Sequence, residues 1–242
     1  MAQRSTTPGG APDPGPTAPE GLTRERGKTL RAPVILDLLA AELPDARIAL
    51  DFRDRWELLV ATILSAQSTD VKVNEVTPQL FATFDGPEAV AAASQEEIEA
   101  LISSLGLYRQ KARNIRAAAA LLLERHSGQV PDSMEQLTAL PGVARKTANV
   151  VLSNGSGRHE GVVVDTHVAR LARRLRFTRE QDAVRIERDL MRLFPRHRWL
   201  EVADLLIHHG RRTCTARAPR CEACVIEPLC PSSQEAGLTD KR

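Results

Sequence analysis

No stretch of this 242-residue chain approaches the ~18 consecutive apolar residues that a membrane span requires, so no spanning segment is expected. The opening MAQRSTTPGG lacks the hydrophobic segment of a signal peptide, which points to an intracellular, cytoplasmic protein. Lysine is scarce. Of 33 basic residues only five are Lys (28, 72, 111, 146 and 241), so Arg supplies the generic positive charge. A Lys in a special position therefore raises the question of what Arg could not do there. Cysteine is limited to four residues, which in an intracellular chain are ligands sooner than disulfides. There is no internal repeat, and only Val162-Val163-Val164 looks strand-like, too short to build a sheet.

What is present is a helical body. Hydrophobic residues at 42% suit a globular protein, and the length suits one large domain or two small ones. Residues 1–32 are rich in Pro, Gly, Thr and Ala without apolar periodicity, and read as a flexible tail, as do 233–242. From Pro33 onward the pattern is helical. PVILDLLAAEL opens with Pro in a favoured first-turn position, and RWELLVATILSAQ (55–67) is apolar enough to be central. Ser94 with Glu97 forms a capping box, and Thr178 with Gln181 is read as opening a helix that runs to Phe194. Further helices are expected over 109–126, 132–140, 143–153 and 198–210. The fold class is all-α.

Net charge is only +2, but its distribution is uneven. Acids exceed bases by three over residues 1–164, whereas bases exceed acids by five over 165–230. RRTCTARAPR (211–220) has four Arg and no acid, which fits phosphate contact or a solvated surface. Within and after it lie Cys214, Cys221, Cys224 and Cys230, spaced C-x6-C-x2-C-x5-C. Zinc and a 4Fe-4S cluster are the two candidates for such a set. One short knuckle flanked by two wider gaps favours the bulkier cluster, and makes the 215–220 loop, with Arg217 and Arg220, an outward basic finger.

The most informative stretch is LPGVARKTANVV (140–151). Pro141-Gly142 ends one helix and starts another, so the amides of Gly142, Val143, Ala144 and Arg145 are read as an exposed helix N-terminus that attracts anions. Lys146 lies in the first helical turn. The helix dipole disfavours its ammonium by ~0.3–1 kcal/mol, too little to yield a free amine, so burial or the neighbouring Arg145 is expected to supply the rest. Such an amine can form a Schiff base, which Arg cannot. Asp165, after the valine run, is either an N-cap or a carboxylate facing Lys146.

These segments together resemble the endonuclease III family of helix–hairpin–helix DNA glycosylases, from about Pro33 to Cys230. The resemblance rests on LSAQSTDVKVN (64–74), GLYRQKARNI (106–115), LPGVARKTANVVL (140–152), VDTHVARL (164–171) and the cysteine spacing. It implies Lys146 as the nucleophile on the anomeric carbon, Asp165 as the carboxylate that assists base loss, and strand cleavage by β-elimination. It further implies Gln67 and Leu107 as wedges for the gap left by a flipped base, His167 beside the pocket, and the four cysteines as ligands of a 4Fe-4S cluster. The implied architecture has a six-helix domain at 47–158 and a cluster domain at 33–46 plus 159–232, with a DNA cleft between them. Double-stranded DNA with damaged bases, oxidised pyrimidines above all, or abasic sites would be the partner of a nucleoid-associated monomer. Ala144 stands where the family's hairpin usually carries a second glycine, and Ala218 where relatives often place a base. Both imply weaker phosphate contact. A non-catalytic damage binder and a monofunctional adenine or mismatch glycosylase are the alternatives; Lys146 with Asp165 argues against both.

Overall fold

The computed structural model describes residues 17–233. Among the described residues there are eleven α-helices and no strand. The Val162–Val164 run forms no strand among the described residues; all the same, Val162 and Val163 are buried. The expected tail at 1–32 lies outside the described residues only as far as residue 16, and the one at 233–242 from residue 234. Ser233 itself is buried.

Helix α1 (Lys28–Glu42) starts five residues before the Pro33 expected to open it. Pro33 removes one intrahelical N–H bond, and the buried Arg31 explains why the helix nonetheless extends upstream. Its guanidinium donates to the carbonyls of Arg26 (2.8 Å), Leu229 (2.9 Å) and Leu175 (3.2 Å). The first turn of α1 is thereby tied to distant segments rather than held by a cap.

Two hydrophobic cores form. The first runs from Leu50 to Leu152 and surrounds α2 (Arg55–Leu64), in which every residue but Arg55 is buried. A helix apolar on all sides belongs inside, and Asp54 caps it by accepting from Glu57 N at 2.9 Å. Around it pack α3 (Asp70–Thr83), α4 (Gly86–Ala92), α5 (Gln95–Ile102), α6 (Tyr108–His126), α7 (Met134–Thr138) and α8 (Arg145–Gly155). That makes seven helices between 47 and 158, not six. The capping box at Ser94 and Glu97 is formed. The second core joins α1 to α9 (Thr166–Arg174), α10 (Ala183–Leu193) and α11 (Trp199–Arg212), and includes Ile226 and Leu229 of the cysteine loop. Thr178 does not cap α10: its hydroxyl donates to Asp189 Oδ2 (2.6 Å), and the cap is Asp182, which accepts from Arg185 N.

Among the described residues, four polar contacts tie the two cores together. Arg145 Nη2 meets Glu187 Oε1 at 3.1 Å, and Asn149 Nδ2 donates to the same oxygen at 3.2 Å. Arg211 pairs with Asp70 at 2.9 Å, and His208 Nε2 meets the Arg47 carbonyl at 2.8 Å. Glu187 is buried directly against Gly161, where an added Cβ would overlap its carboxylate. Because that carboxylate is held by two donors, it cannot swing aside without leaving a buried charge unpaired. Gly161→Ala is therefore expected to cost about 2–4 kcal/mol, read as a lower denaturation midpoint with unchanged slope.

Candidate functional site

The turn between α7 and α8 is built around Gly142. Its φ is +80°, and a Cβ there would come within 2.9 Å of Asn114 Cβ, so both backbone and space require glycine. Val143 differs from expectation: its side chain is buried and its N–H donates to the Leu140 carbonyl at 3.1 Å, so that amide is spent inside the turn. Ala144 is the N-cap of α8, extended at φ −86° and ψ 169°, rather than a first-turn residue. Any L-residue adopts that conformation, which is why the missing second glycine leaves the hairpin intact. Ala144 has no side-chain oxygen to cap with, so the first turn of α8 has no side-chain cap.

Lys146 stands in that first turn and is exposed. The expected burial of Lys146 is not met. Its side chain reaches open solvent, while the guanidinium of Arg145 is engaged by Glu187. Lys146 and Asp165 line one cleft of about 350 Å³, together with Gln67, Arg47 and a face of α11. They are not in ion-pair contact among the described residues. Asp165 does two things at once. Oδ1 caps α9 by accepting from His167 N and Val168 N, both at 2.8 Å, while Oδ2 accepts no hydrogen bond among the described residues.

Gln67 and Leu107 share an uncommon backbone state. Both are left-handed, with φ of 54° and 59°, and both are exposed. For non-glycine residues such conformations cost ~1–3 kcal/mol each and collect where the chain is shaped for function. Leu107 is 57% exposed. The two tips adjoin, since a Cβ on Gly106 would lie 3.6 Å from the Gln67 carbonyl. Lys111, buried and with its pKa lowered by that burial, braces them by donating to Ser68 Oγ at 2.7 Å. His167 lies outside the cleft lining. Its ring is turned toward Gly210 of α11, Nδ1 meets Arg170 Nη2 at 3.2 Å, and burial lowers its pKa.

Cys214, Cys221, Cys224 and Cys230 line a single cavity of about 40 Å³. None forms a disulfide, and among the described residues no group of His, Cys, Asp or Glu converges as a single-ion site. Burial pushes the thiols of Cys224 and Cys230 up, to about 12 and about 11. The loop beside them is held by two arginines one helical turn apart on α9, which the sequence reading missed. Arg174 donates to Cys214 Sγ (3.2 Å) and to the carbonyls of Thr215 (2.8 Å) and Ala216 (3.0 Å). Arg170 donates to the carbonyls of Gly210 and Cys214. Their i,i+4 spacing, in a chain where the cysteine loop carries few acids, was the available signal. Arg217 and Arg220 are exposed on that loop, and Arg220 Nη2 donates to the Arg212 carbonyl.

Asp204, also missed, lines the cleft half-buried, and desolvation raises its pKa from 3.8 to about 7. An unfolded chain ionises this group near pH 4, whereas the fold retains its proton to about 7, so raising the pH through that window disfavours the fold. Fully dry, such a shift would correspond to ~4 kcal/mol; contact with solvent in the cleft reduces it to about 1–2 kcal/mol. Asp204→Asn should therefore raise the melting temperature by several degrees at pH 8, with the gain shrinking as the pH falls toward 4.

Residues 60–196 match the HhH-GPD superfamily of base excision DNA repair proteins. The chain is 49% identical to endonuclease III of Synechocystis sp., over 88% of this chain and 97% of that protein. It is 40% identical to the Escherichia coli endonuclease III, over 84% of this chain and 96% of that one. Among solved structures it resembles a trapped endonuclease III–DNA covalent intermediate, with TM-score 0.80, 40% identity, and coverage of 86% of this chain and 98% of that one. A thermostable thymine-DNA glycosylase shares the fold at TM-score 0.73 and 22% identity, over 86% of this chain and 97% of that one.

Proposed function

The chain belongs to the HhH-GPD superfamily of base excision DNA repair proteins, within the endonuclease III family, and we propose that Lys146 and Asp165 carry its reaction. It is a DNA glycosylase with an associated abasic-site lyase activity, acting on double-stranded DNA. The observation that carries the site assignment is the joint lining of one cleft by Lys146, at the N-terminal end of α8, and by Asp165, with one carboxylate oxygen left open among the described residues.

In this reading the hairpin amides and the dipole of α8 hold the backbone phosphate. The exposed tips at Gln67 and Leu107 fill the gap left by the flipped nucleotide, whose sugar then covers Lys146 and displaces its water. Lys146 Nζ attacks C1′ and the damaged base leaves with the bonding pair. Asp165 Oδ2 stabilises the cationic sugar and takes the ammonium proton. On ring opening one of nitrogen's two remaining protons passes to O4′ and the other stays, giving the protonated Schiff base, from which β-elimination breaks the C3′–O bond and nicks the strand. Oxidised pyrimidines are the proposed lesions.

Cys214, Cys221, Cys224 and Cys230 would hold a 4Fe-4S cluster. Four thiols around one cavity, without convergence on a single-ion centre, suit a cluster better than zinc, which draws sulfurs to ~2.3 Å. Such a group supplies a rigid anchor for the loop that carries Arg217 and Arg220. The purified protein is expected to be yellow-brown with about four irons per chain; a colourless zinc-loaded sample overturns that assignment. The site is tested by sodium borohydride with an abasic duplex. A covalent protein–DNA adduct is expected, and a protein that binds the duplex without being trapped refutes the Schiff-base reading.

A further inference from the structure

One face of α11 lines the cleft through Leu200, Ala203, Asp204, Ile207, His208 and Arg211. Two of its three polar members fasten α11 to the far side: Arg211 pairs with Asp70, and His208 meets the Arg47 carbonyl. Asp204 lies one turn from His208 and makes no hydrogen bond or ion pair among the described residues. An unpaired carboxyl in a cleft that receives phosphates is repelled by them and weakens the fold, so its presence calls for a use.

The lyase reaction has a vacancy of that kind. Two protons must be taken up at different moments, one from the Lys146 ammonium and one from C2′ of the sugar. Asp165 Oδ1 is committed to capping α9, which leaves a single open oxygen for the first task. Once protonated, it is spent. We propose that Asp204 is the base that removes the C2′ proton in the elimination step. This rests on the assignment of Lys146 as the nucleophile. The C2′–H bond breaks and the proton goes to the Asp204 carboxylate. Its electron pair forms the C1′–C2′ double bond as the iminium nitrogen takes back its π pair. That nitrogen pair then returns, a C2′–C3′ double bond forms, and the C3′–O bond breaks with the phosphate leaving on its bonding pair. The raised titration of Asp204 fits the role, because a group near half-protonation at working pH both accepts and releases protons. The charged and titratable groups that line the same cleft are Lys146 of α8, Asp165 at the head of α9, the Asp70–Arg211 pair, His208 and Arg47.

The test uses the full chain with Asp204→Asn and Asp204→Glu on an abasic duplex, in single turnover from pH 5.5 to 8.5. Borohydride-trapped adduct and nicked strand are scored separately. With Asp204→Asn, the adduct should form at the wild-type rate while nicking slows ~100-fold or more. The wild-type loss of nicking on the acid side, centred near neutrality, should vanish with it. Glutamate should restore part of the rate. Unchanged nicking in Asp204→Asn overturns the proposal, as does a parallel fall in trapping, which would assign Asp204 to base release or to the fold. If the wild-type protein itself cannot be trapped, the Lys146 reading fails first and this one falls with it; normal wild-type trapping with an indifferent Asp204 variant sinks only this one.

Discussion

Lys146→Ala is expected to abolish borohydride trapping and to lower strand nicking by ~10³-fold or more, with no loss of stability. The rate effect follows from chemistry, since removing the nucleophile of a covalent mechanism removes the intermediate and not merely one contact. The stability effect follows from position. Lys146 is exposed, in the first turn of α8, where the helix dipole disfavours an ammonium by ~0.3–1 kcal/mol. Alanine relieves that repulsion, so the melting temperature should hold or rise slightly. Lys146→Arg separates charge from nucleophilicity. It retains a cation for phosphate and should bind abasic duplex nearly as well, yet it forms no imine. Nicking by Lys146→Arg at the wild-type rate would exclude an amine nucleophile at this position.

That lysine also marks how far the sequence could be followed. Its place in a helical first turn was legible, because Pro141-Gly142 punctuates the pattern and only glycine meets both the φ of +80° and the contact with Asn114. Its solvation was not, since exposure depends on which distant elements cover a turn. The capping box at Ser94 and the cap at Asp165 were readable because a cap is written within four residues. Thr178 misled for a related reason. The side chain is local in sequence, but its hydroxyl finds Asp189 across a turn of α10. Helix α3 was hidden by Pro78 inside it and by few buried positions, Val73, Thr77 and Leu80. Arg31, Arg170 and Arg174 look like surface charge in a chain rich in arginine, yet they pin carbonyls up to 198 residues away in sequence. Long-range satisfaction of carbonyls leaves almost no local trace.

Asp165 offers the second large effect, and the means to separate its two duties. Asparagine caps helices about as well as aspartate, so Asp165→Asn should keep the bonds from His167 N and Val168 N, and melt near the wild-type temperature. What it loses is the negative charge at Oδ2, the only carboxylate oxygen of that residue left for the sugar. Base excision should then fall ~10²–10⁴-fold while duplex binding is retained or strengthened, because a charge that repels phosphate has gone. Asp165→Ala removes the cap as well, and should add a stability loss of about 1 kcal/mol without further slowing excision. If Asn and Ala variants instead lose stability together and Asn excises at the wild-type rate, Asp165 is a cap alone, and the cationic sugar must find its counter-charge elsewhere in the cleft.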